Sequence, residues 1–452
     1  MKGIKVNYLS ARGFISGKNY YILLSALLII SEAFYLWIYT NLNEPVIKYF
    51  TTGIINSFVF LFIVLMLRST KQESVKLTRI IIGAAIIFRL TVLFLPPTAS
   101  DDINRYIWDG KVLANRINPY QYAPADKHLE HLHSALLPHA VNFPAMKTIY
   151  PPFAQLTFFI SYSIFGESYT GYKMLLLVFE ILTILLLVRL LRLLKLPSHY
   201  AGIYALCPLP IMQFMIDGHV DAIGLPILIL SLIFFFNNKR IWFYIISGFS
   251  ISTKLISGML LPYTIDKLEK PFYKKIVMSL IPLSVFAITY LPFLNNHVSP
   301  FESLGTFTAN WAFNGSFFTL FYNLLPDNHK ARMISGLLFL TYGAYLYFSR
   351  KETTDKIYLI FLSFLLLSPT VHPWYVNWLA VLLPLSFRWS GFALVTMINM
   401  ANWVVIDYKL KGIWQMSNYT LLIEYTPVFA LIIYEIILYN FNRTKKQNPA
   451  GH

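Results

Sequence analysis

Apolar runs of about 17–22 residues recur from one end of this chain to the other, and each is long enough to cross a hydrocarbon core about 30 Å thick. The runs are too long and too uniformly apolar for barrel strands. Helices are left as the spanning structure, because in lipid every backbone N–H and C=O has to find its partner inside its own segment. Only 13% of the residues are charged, about half of the roughly 25% usual in a soluble domain. The expected fold is an all-α polytopic membrane protein of about 12–14 transmembrane helices.

The formal net charge of +16 is not read as a nucleic-acid signal. Lys and Arg cluster in short loops at the ends of apolar runs, where they set orientation in the bilayer. The single cysteine, Cys207, cannot form an intrachain disulfide. Lys2, Lys5, Arg12 and Lys18 precede a stretch near 20–40 that is too long for a signal-peptide core and lacks a small-residue cleavage site. That stretch is expected to be a retained first helix with its N-terminus in the cytoplasm.

The positive charges then fix a topology. Arg68, Lys71, Lys76 and Arg79 lie between spans near 51–67 and 80–96 and place that loop inside, so 97–150 lies outside. The span 171–192 ends in Arg189, Arg192 and Lys195, which are inside. Parity therefore makes 152–165 a helix lying on the outer surface. Spans near 199–216 and 221–237 are joined on the outside by Asp217–Asp221. Because Lys239, Arg240 and the basic segment 267–275 are all inside, 241–262 is expected to cross twice as two short helices turning at Lys254; a single span that breaks the charge rule is the alternative. Spans near 274–294, 331–349, 357–370, 374–387, 391–406 and 420–440 follow, with a second large outer loop at 295–330 and a basic inner tail of Arg443, Lys445 and Lys446.

This topology gathers the unusual polar residues on one face. Asp101 and Asp102 follow the third span directly, and carboxylates at the edge of a bilayer are costly to place and often functional. Such a pair suits acid/base work on a substrate whose tail lies in lipid. Arg105 stands at helical spacing from both, and Trp108 and Asp109 follow it. Asn118-Pro119-Tyr120 and Tyr150-Pro151-Pro152 are rigid turns. The loop aromatics are either an interfacial belt or a platform for sugar rings. Asp217, His219 and Asp221 pack three ionisable groups into five residues, as a solvated turn or as a site that binds a hydroxyl-rich substrate. Lys254 inside an apolar run either snorkels or pairs with a lipid phosphate. Pro373 breaks a helix and aims His372 and Tyr375 at a common cavity. No nucleotide-binding loop, catalytic triad or Cys-x-x-Cys motif is present.

In these residues the chain resembles the GT-C superfamily of membrane glycosyltransferases, and within it the bacterial polyprenyl-phosphate-mannose-dependent mannosyltransferases. The resemblance covers about residues 79–440 and is carried most specifically by Asp101-Asp102-x-x-Arg105-Tyr106-x-Trp108-Asp109-Gly110. Asp217-Gly218-His219, Trp311-x-Phe313-Asn314-Gly315-Ser316 and His372-Pro373-Trp374-Tyr375 follow in the same order. It implies a core from 79 to 452 preceded by a tail and two additional helices (1–78). It also implies a polyprenyl-phosphate sugar donor, transfer of a hexose (mannose expected) with inversion, and an Asp base at Asp101 or Asp102. Arg105, Lys254 and His372 are the expected contacts of the donor phosphate. Trp108, Asp109, Asn118, Tyr120, Asp217, His219, Asp221, Trp311, Asn314, Trp374 and Tyr375 are expected to bind substrate. No cofactor is required, with a divalent metal left open. The acceptor is a glycan, a glycolipid or a protein, and the expected location is a bacterial inner membrane with the site on its outer face. A lipid-linked-sugar transporter and a non-catalytic envelope scaffold are the competing classes. The first predicts ionisable groups near the bilayer midplane and related halves.

Overall fold

The computed structural model describes residues 17–40, 45–295 and 298–447. Lys2, Lys5 and Arg12 lie outside the described residues, as do the side chains of Arg443, Lys445 and Lys446. Among the described residues the regular structure is helical, and the β features are isolated bridges from Phe313 and Asn314 to Thr370. The helices in order are α1 (Lys18–Trp37), α2 (Pro45–Ser69), α3 (Val75–Val92), α4 (Asp102–Ala114), α5 (Pro152–Phe165), α6 (Tyr169–Leu193), α7 (Gly202–Ala205), α8 (Pro208–Met215), α9 (Asp221–Phe236) and α10 (Arg240–Ile251). They continue with α11 (Leu261–Leu268), α12 (Phe272–Tyr290), α13 (Glu302–Asn310), α14 (Ser316–Leu324), α15 (Asn328–Phe348), α16 (Thr353–Leu367), α17 (Asn377–Ala380), α18 (Trp389–Met397), α19 (Trp403–Lys411) and α20 (Asn418–Gln447).

Six segments are long and apolar enough to cross a membrane on their own: Lys18–Thr40, Pro45–Ser69, Tyr169–Leu193, Phe272–Phe293, Trp389–Lys411 and Asn418–Phe441. Large exposed apolar side chains line their outer faces, such as Leu280 and Leu283 on α12 and Ile433 and Ile437 on α20, and also α15, with Leu337 and Leu340. Apolar surface of this extent belongs against lipid.

Several expected single helices are broken. The run near 199–216 is a short 3-10 turn followed by α7 and α8, interrupted at Cys207 because Pro208 and Pro210 remove backbone donors. The run near 374–387 is a 3-10 turn, the four-residue α17 and further turns. The segment 241–262 turns back at Lys254 as expected: α10 leads up to it, and α11 returns so that Glu269 meets Arg240 at 3.2 Å. Helix α5 lies along α4, with both its ends tied to neighbouring segments: Phe153 N–H bonds the Ser252 carbonyl, and Glu167 just beyond it pairs with Lys111.

The two ends of the bundle are defined by contacts. Tyr49 near the start of α2 reaches Asp217, and Tyr169 at the start of α6 donates to Asn104. The 25-residue α2 is roughly 37 Å long at 1.5 Å per residue, so the turn at 70–74 lies a membrane thickness away from Asp217. Within the bundle, α3 and α6 are joined by a fully buried ion pair that the sequence reading passed over. Arg89 donates to Glu180 from Nε (3.1 Å) and Nη2 (2.8 Å) and to the Ala205 carbonyl from Nη1 (2.7 Å), while Tyr204 donates to the other Glu180 oxygen (2.5 Å). Every charge there has hydrogen-bonded partners, which is the condition for placing an ion pair in so apolar a setting.

Helices α4 and α5 meet at Gly110, where a Cβ would come within 2.3 Å of the Phe158 carbonyl oxygen. Gly110→Ala is expected to force the two helices apart and cost about 1–3 kcal/mol. Gly83→Ala, on an open face of α3, should be neutral or stabilising. Thermal unfolding of the two variants in the same detergent checks the contrast.

Candidate active site

The residues after α3 leave the membrane on a short loop, and a buried carboxylate holds that loop in place. Asp217 Oδ1 accepts the backbone N–H groups of Thr98 and Ala99, both at 2.8 Å, and Oδ2 accepts the Tyr49 hydroxyl at 2.7 Å. Gln213 donates to the Tyr49 oxygen in turn (2.8 Å). Lys409 Nζ caps the Thr98 carbonyl at 3.0 Å. Asp217 was expected to bind substrate; it is fully buried and its acceptors are filled by the loop that presents the acidic pair.

Asp101 and Asp102 begin α4, where negative charge suits the positive end of the helix dipole. One amide bridges them: Asn142 Nδ2 lies 2.9 Å from Asp101 Oδ1 and 2.7 Å from Asp102 Oδ1. Asp101 is exposed, while the Asp102 side chain is only 19% exposed. Burial, reinforced by the neighbouring charge of Asp101, raises the Asp102 carboxyl to about 6. Its Oδ2 lies 3.7 Å from His219 Nδ1. Burial, with Lys254 and His372 nearby, holds His219 well below its ordinary value, so it faces Asp102 as a neutral ring. Neither of its nitrogens has a hydrogen-bond partner, although the residue is fully buried.

Behind His219 runs a ladder of near-parallel rings drawn from distant parts of the chain. His219 stacks on Trp374 (centroids 3.7 Å apart), Trp374 on His372 (4.3 Å), His372 on Phe313 (4.7 Å) and Phe313 on Trp414 (5.9 Å). Burial and the Lys254 charge lower His372 to about 3, so it enters the ladder as a neutral ring and not as the cation expected for a phosphate. Beside the ladder, Lys254 Nζ sits 2.6 Å from Asp221 Oδ1 and 3.9 Å above the Tyr375 ring. Trp378 Nε1 donates to the same Asp221 oxygen at 2.6 Å, leaving Asp221 Oδ2 buried without a partner. The residues placed together are thus Asp101, Asp102, His219, Asp221, Lys254, His372, Trp374 and Tyr375.

Other expected site residues hold the segment 97–150 in shape. Arg105 does not pair with Asp101 or Asp102. Its Nε bonds Asp109 at 2.8 Å, one turn further along α4, and its Nη1 bonds the Met146 carbonyl at 2.9 Å. Asp109 also accepts from Gln155 (3.0 Å), and Trp108 is buried against His133. Asn118 forms a turn by accepting the Tyr120 N–H (3.0 Å) and donates to the Phe293 carbonyl (2.7 Å), and Tyr120 donates to the Tyr150 carbonyl (2.6 Å). Trp311 packs edge-on to Phe143 (4.7 Å) beside the acidic pair's Asn142. Asn314, with φ 54°, donates to Glu424 Oε1 at 2.8 Å and accepts from the Tyr425 hydroxyl at 2.8 Å, which fixes Phe313 in the ladder.

Sequence reasoning missed Asn142, Phe313, Trp378, Trp414 and Glu424 as parts of this site. Glu424 did carry a signal, since it is an acid seven residues into the last span (Asn418–Phe441), fully buried, with Oε2 unpartnered. Among the described residues, no three of His, Cys, Asp and Glu converge in a way that could hold a metal ion.

A helical membrane protein that collects a carboxylate pair, a clamped lysine and stacked rings at one end of its bundle is built as a membrane-embedded transferase. The family model described as alpha-(1->6)-mannopyranosyltransferase, N-terminal domain, matches residues 25–267. The chain belongs to this family and is accordingly a glycosyltransferase. The matched stretch holds Asp101, Asp102, His219, Asp221 and Lys254, whereas Phe313, His372, Trp374 and Glu424 lie beyond it. Among solved structures, ArnT from Cupriavidus metallidurans bound to undecaprenyl phosphate is similar, at 13% identity and a TM-score of 0.43, over 80% of this chain and 72% of that one. No curated protein sequence matches the chain.

Glu424→Leu is expected to leave the buried Asn314 amide short of its acceptor and to lower stability by about 1–3 kcal/mol. Glu424→Gln keeps an oxygen for the 2.8 Å bond and should lose less. Thermal denaturation of both variants in one detergent tests the order.

Proposed function

We propose that the protein transfers a mannose from a polyprenyl-phosphate donor to an acceptor hydroxyl at the outer face of the membrane, in one inverting step with Asp102 as base. The observation that carries this reading is the amide-bridged pair: two carboxylates share Asn142, and the more buried one is raised to about 6. A base is most effective when its pKa lies near the working pH. In the step, the acceptor O–H gives its proton to Asp102 Oδ as its oxygen bonds to the anomeric carbon. The bond from that carbon to the phosphate oxygen breaks, and its electron pair leaves with the polyprenyl phosphate. Family membership supports mannose, and the Arg- and Lys-rich loops at the other end of the bundle support the outer placement.

Lys254 supplies the positive charge for the departing phosphate. Its clamp between Asp221 and the Tyr375 ring holds the ammonium group in place before the substrate arrives, so little reorganisation accompanies the reaction. Arg105 is committed to Asp109 and Met146, and His372 is neutral, which leaves Lys254 as the cation of the cluster. The unpartnered nitrogens of His219 and Asp221 Oδ2 suit the hydroxyl groups of a sugar ring, and the partly exposed rings of Trp374 and Phe313 suit its apolar face.

The test is sugar transfer by purified protein in liposomes with radiolabelled polyprenyl-phosphate mannose and a mixed acceptor lipid extract. Asp102→Asn is expected to lower kcat by about 10²–10⁴. Asp101→Asn should retain activity, with the acid limb of its pH profile shifted to lower pH, because it removes the charge that helps raise Asp102. A reversed pattern would make Asp101 the base. No transfer with any polyprenyl-phosphate sugar by folded protein would sink the reading.

Two further outcomes follow from the same assay. Asp102 acts only as carboxylate, so the wild-type rate should climb as pH rises through about 6 and level off above it. Lys254→Met should lower kcat by about 10²–10³ with a smaller change in KM, as loss of a transition-state contact requires.

A further inference from the structure

The end of the bundle away from Asp101 holds a feature that sugar transfer does not use. A cavity of about 610 Å³ opens between the α2–α3 turn and the C-terminus of α6. Lys71, Arg79, Arg192 and Lys195 line it with a single acid, Glu73. Glu73 is already engaged: it accepts the Ser198 N–H (2.6 Å) and the Ser198 hydroxyl, and Arg192 approaches it only to 3.9 Å. Lys71, Arg79 and Lys195 have no acidic partner among the described residues. Elsewhere at this end, Arg240, Lys275 and Arg388 pair with Glu269, Asp266 and Asp355 at 3.2, 2.5 and 3.2 Å.

Two ordinary explanations fall short. Orientation in the bilayer needs basic loops but does not need several cations on one concave wall. Arg192 and Lys195 complement the negative end of α6, but Arg79 lies one turn into α3, towards the positive end of that helix, where a cation is disfavoured. The rest of the wall is apolar, formed by Val75, Leu196 and Pro197. The cavity also sits a full helix length from the acidic pair, at the level of the opposite membrane surface. A phosphate tethered to an apolar body matches each of these features, and basic pockets between helices at this level suit anionic headgroups.

We propose that this cavity binds the phosphate of an anionic phospholipid headgroup, with Lys71, Arg79 and Lys195 as its cations. The site is separate from the transferase centre, and the proposal stands whether or not the sugar-transfer reading does.

The experiment places full-length protein in nanodiscs of phosphatidylcholine with a graded fraction of phosphatidylglycerol and reads retained lipid by native mass spectrometry. Arg79→Gln combined with Lys195→Gln is compared with Lys267→Gln combined with Lys270→Gln, which removes equal charge from the same end but outside the cavity. The cavity variant should bind phosphatidylglycerol at least about tenfold more weakly, and the control variant should stay within about twofold of wild type. Melting in phosphatidylcholine alone confirms folding; should the double variant not fold, Lys71→Gln is read in its place. Equal losses in the cavity and control variants, or equal retention of phosphatidylcholine by the wild type, would overturn the proposal. Displacement of the lipid by millimolar inorganic phosphate would also overturn it, by giving the cavity to a soluble anion.

Discussion

The candidate site depends on one buried carboxylate that takes no part in its chemistry. Asp217 gathers two backbone N–H groups and a phenol into a single acceptor cluster, tying the loop at 98–99 to α2. Backbone donors at a loop that has just left a membrane helix would otherwise be buried without partners, at a cost of about 1–3 kcal/mol each. Satisfying them also fixes where Asp101 and Asp102 emerge, three and four residues after Thr98. His219 and Asp221 follow Asp217 on the same short turn, so one anchor sets the acidic pair and its neighbours in a common frame. Gly218 makes this turn possible: its φ is 73°, and a Cβ there would meet Ile103 at 2.6 Å.

The charges inside the bundle bear on the competing transporter reading. Arg89, Glu180 and Tyr204 lie among the spanning helices, where a transported substrate would be expected to bind. They are fully buried and satisfied by one another and by backbone carbonyls. Charges arranged in this way fasten helices together. The buried, incompletely satisfied His219 and Asp221, with the partly exposed Asp102 beside them, are at one end of the bundle instead. Buried polar atoms without partners suit a substrate that supplies them, as the proposed transfer requires.

The bilayer made much of the fold legible. Spans such as α2 and α6 follow from run length alone, and the turn at Lys254 that the charge rule called for is present. The broken segments were less legible, because proline-rich apolar runs such as 207–215 and 373–387 have the hydropathy of a span without its hydrogen bonding. Their irregular backbone is tolerated because it is buried within the protein, away from lipid. Such burial depends on the other helices and leaves no local trace in sequence.

The site was legible in its residue types and much less so in their division of labour. Motif spacing placed Arg105 beside the acidic pair, but a helix also offers the next turn, and Asp109 there is buried with Gln155 and Thr148 in a network that needs a cation. His372 was read from its position as a phosphate contact, yet burial in a ladder that includes Phe313, 59 residues away in the chain, and the charge of Lys254 keep it neutral, and no local pattern reveals either. The ladder has a physical logic. Neutral stacked rings exclude water from one side of Asp102 without supplying a charge that would lower its pKa, while Lys254, the nearby cation, is already neutralised in part by Asp221. A carboxyl raised towards neutrality beside a cation, as the proposed transfer needs, requires those two fields to be kept apart. Asp221, bonded to both Lys254 and Trp378, is the residue that separates them.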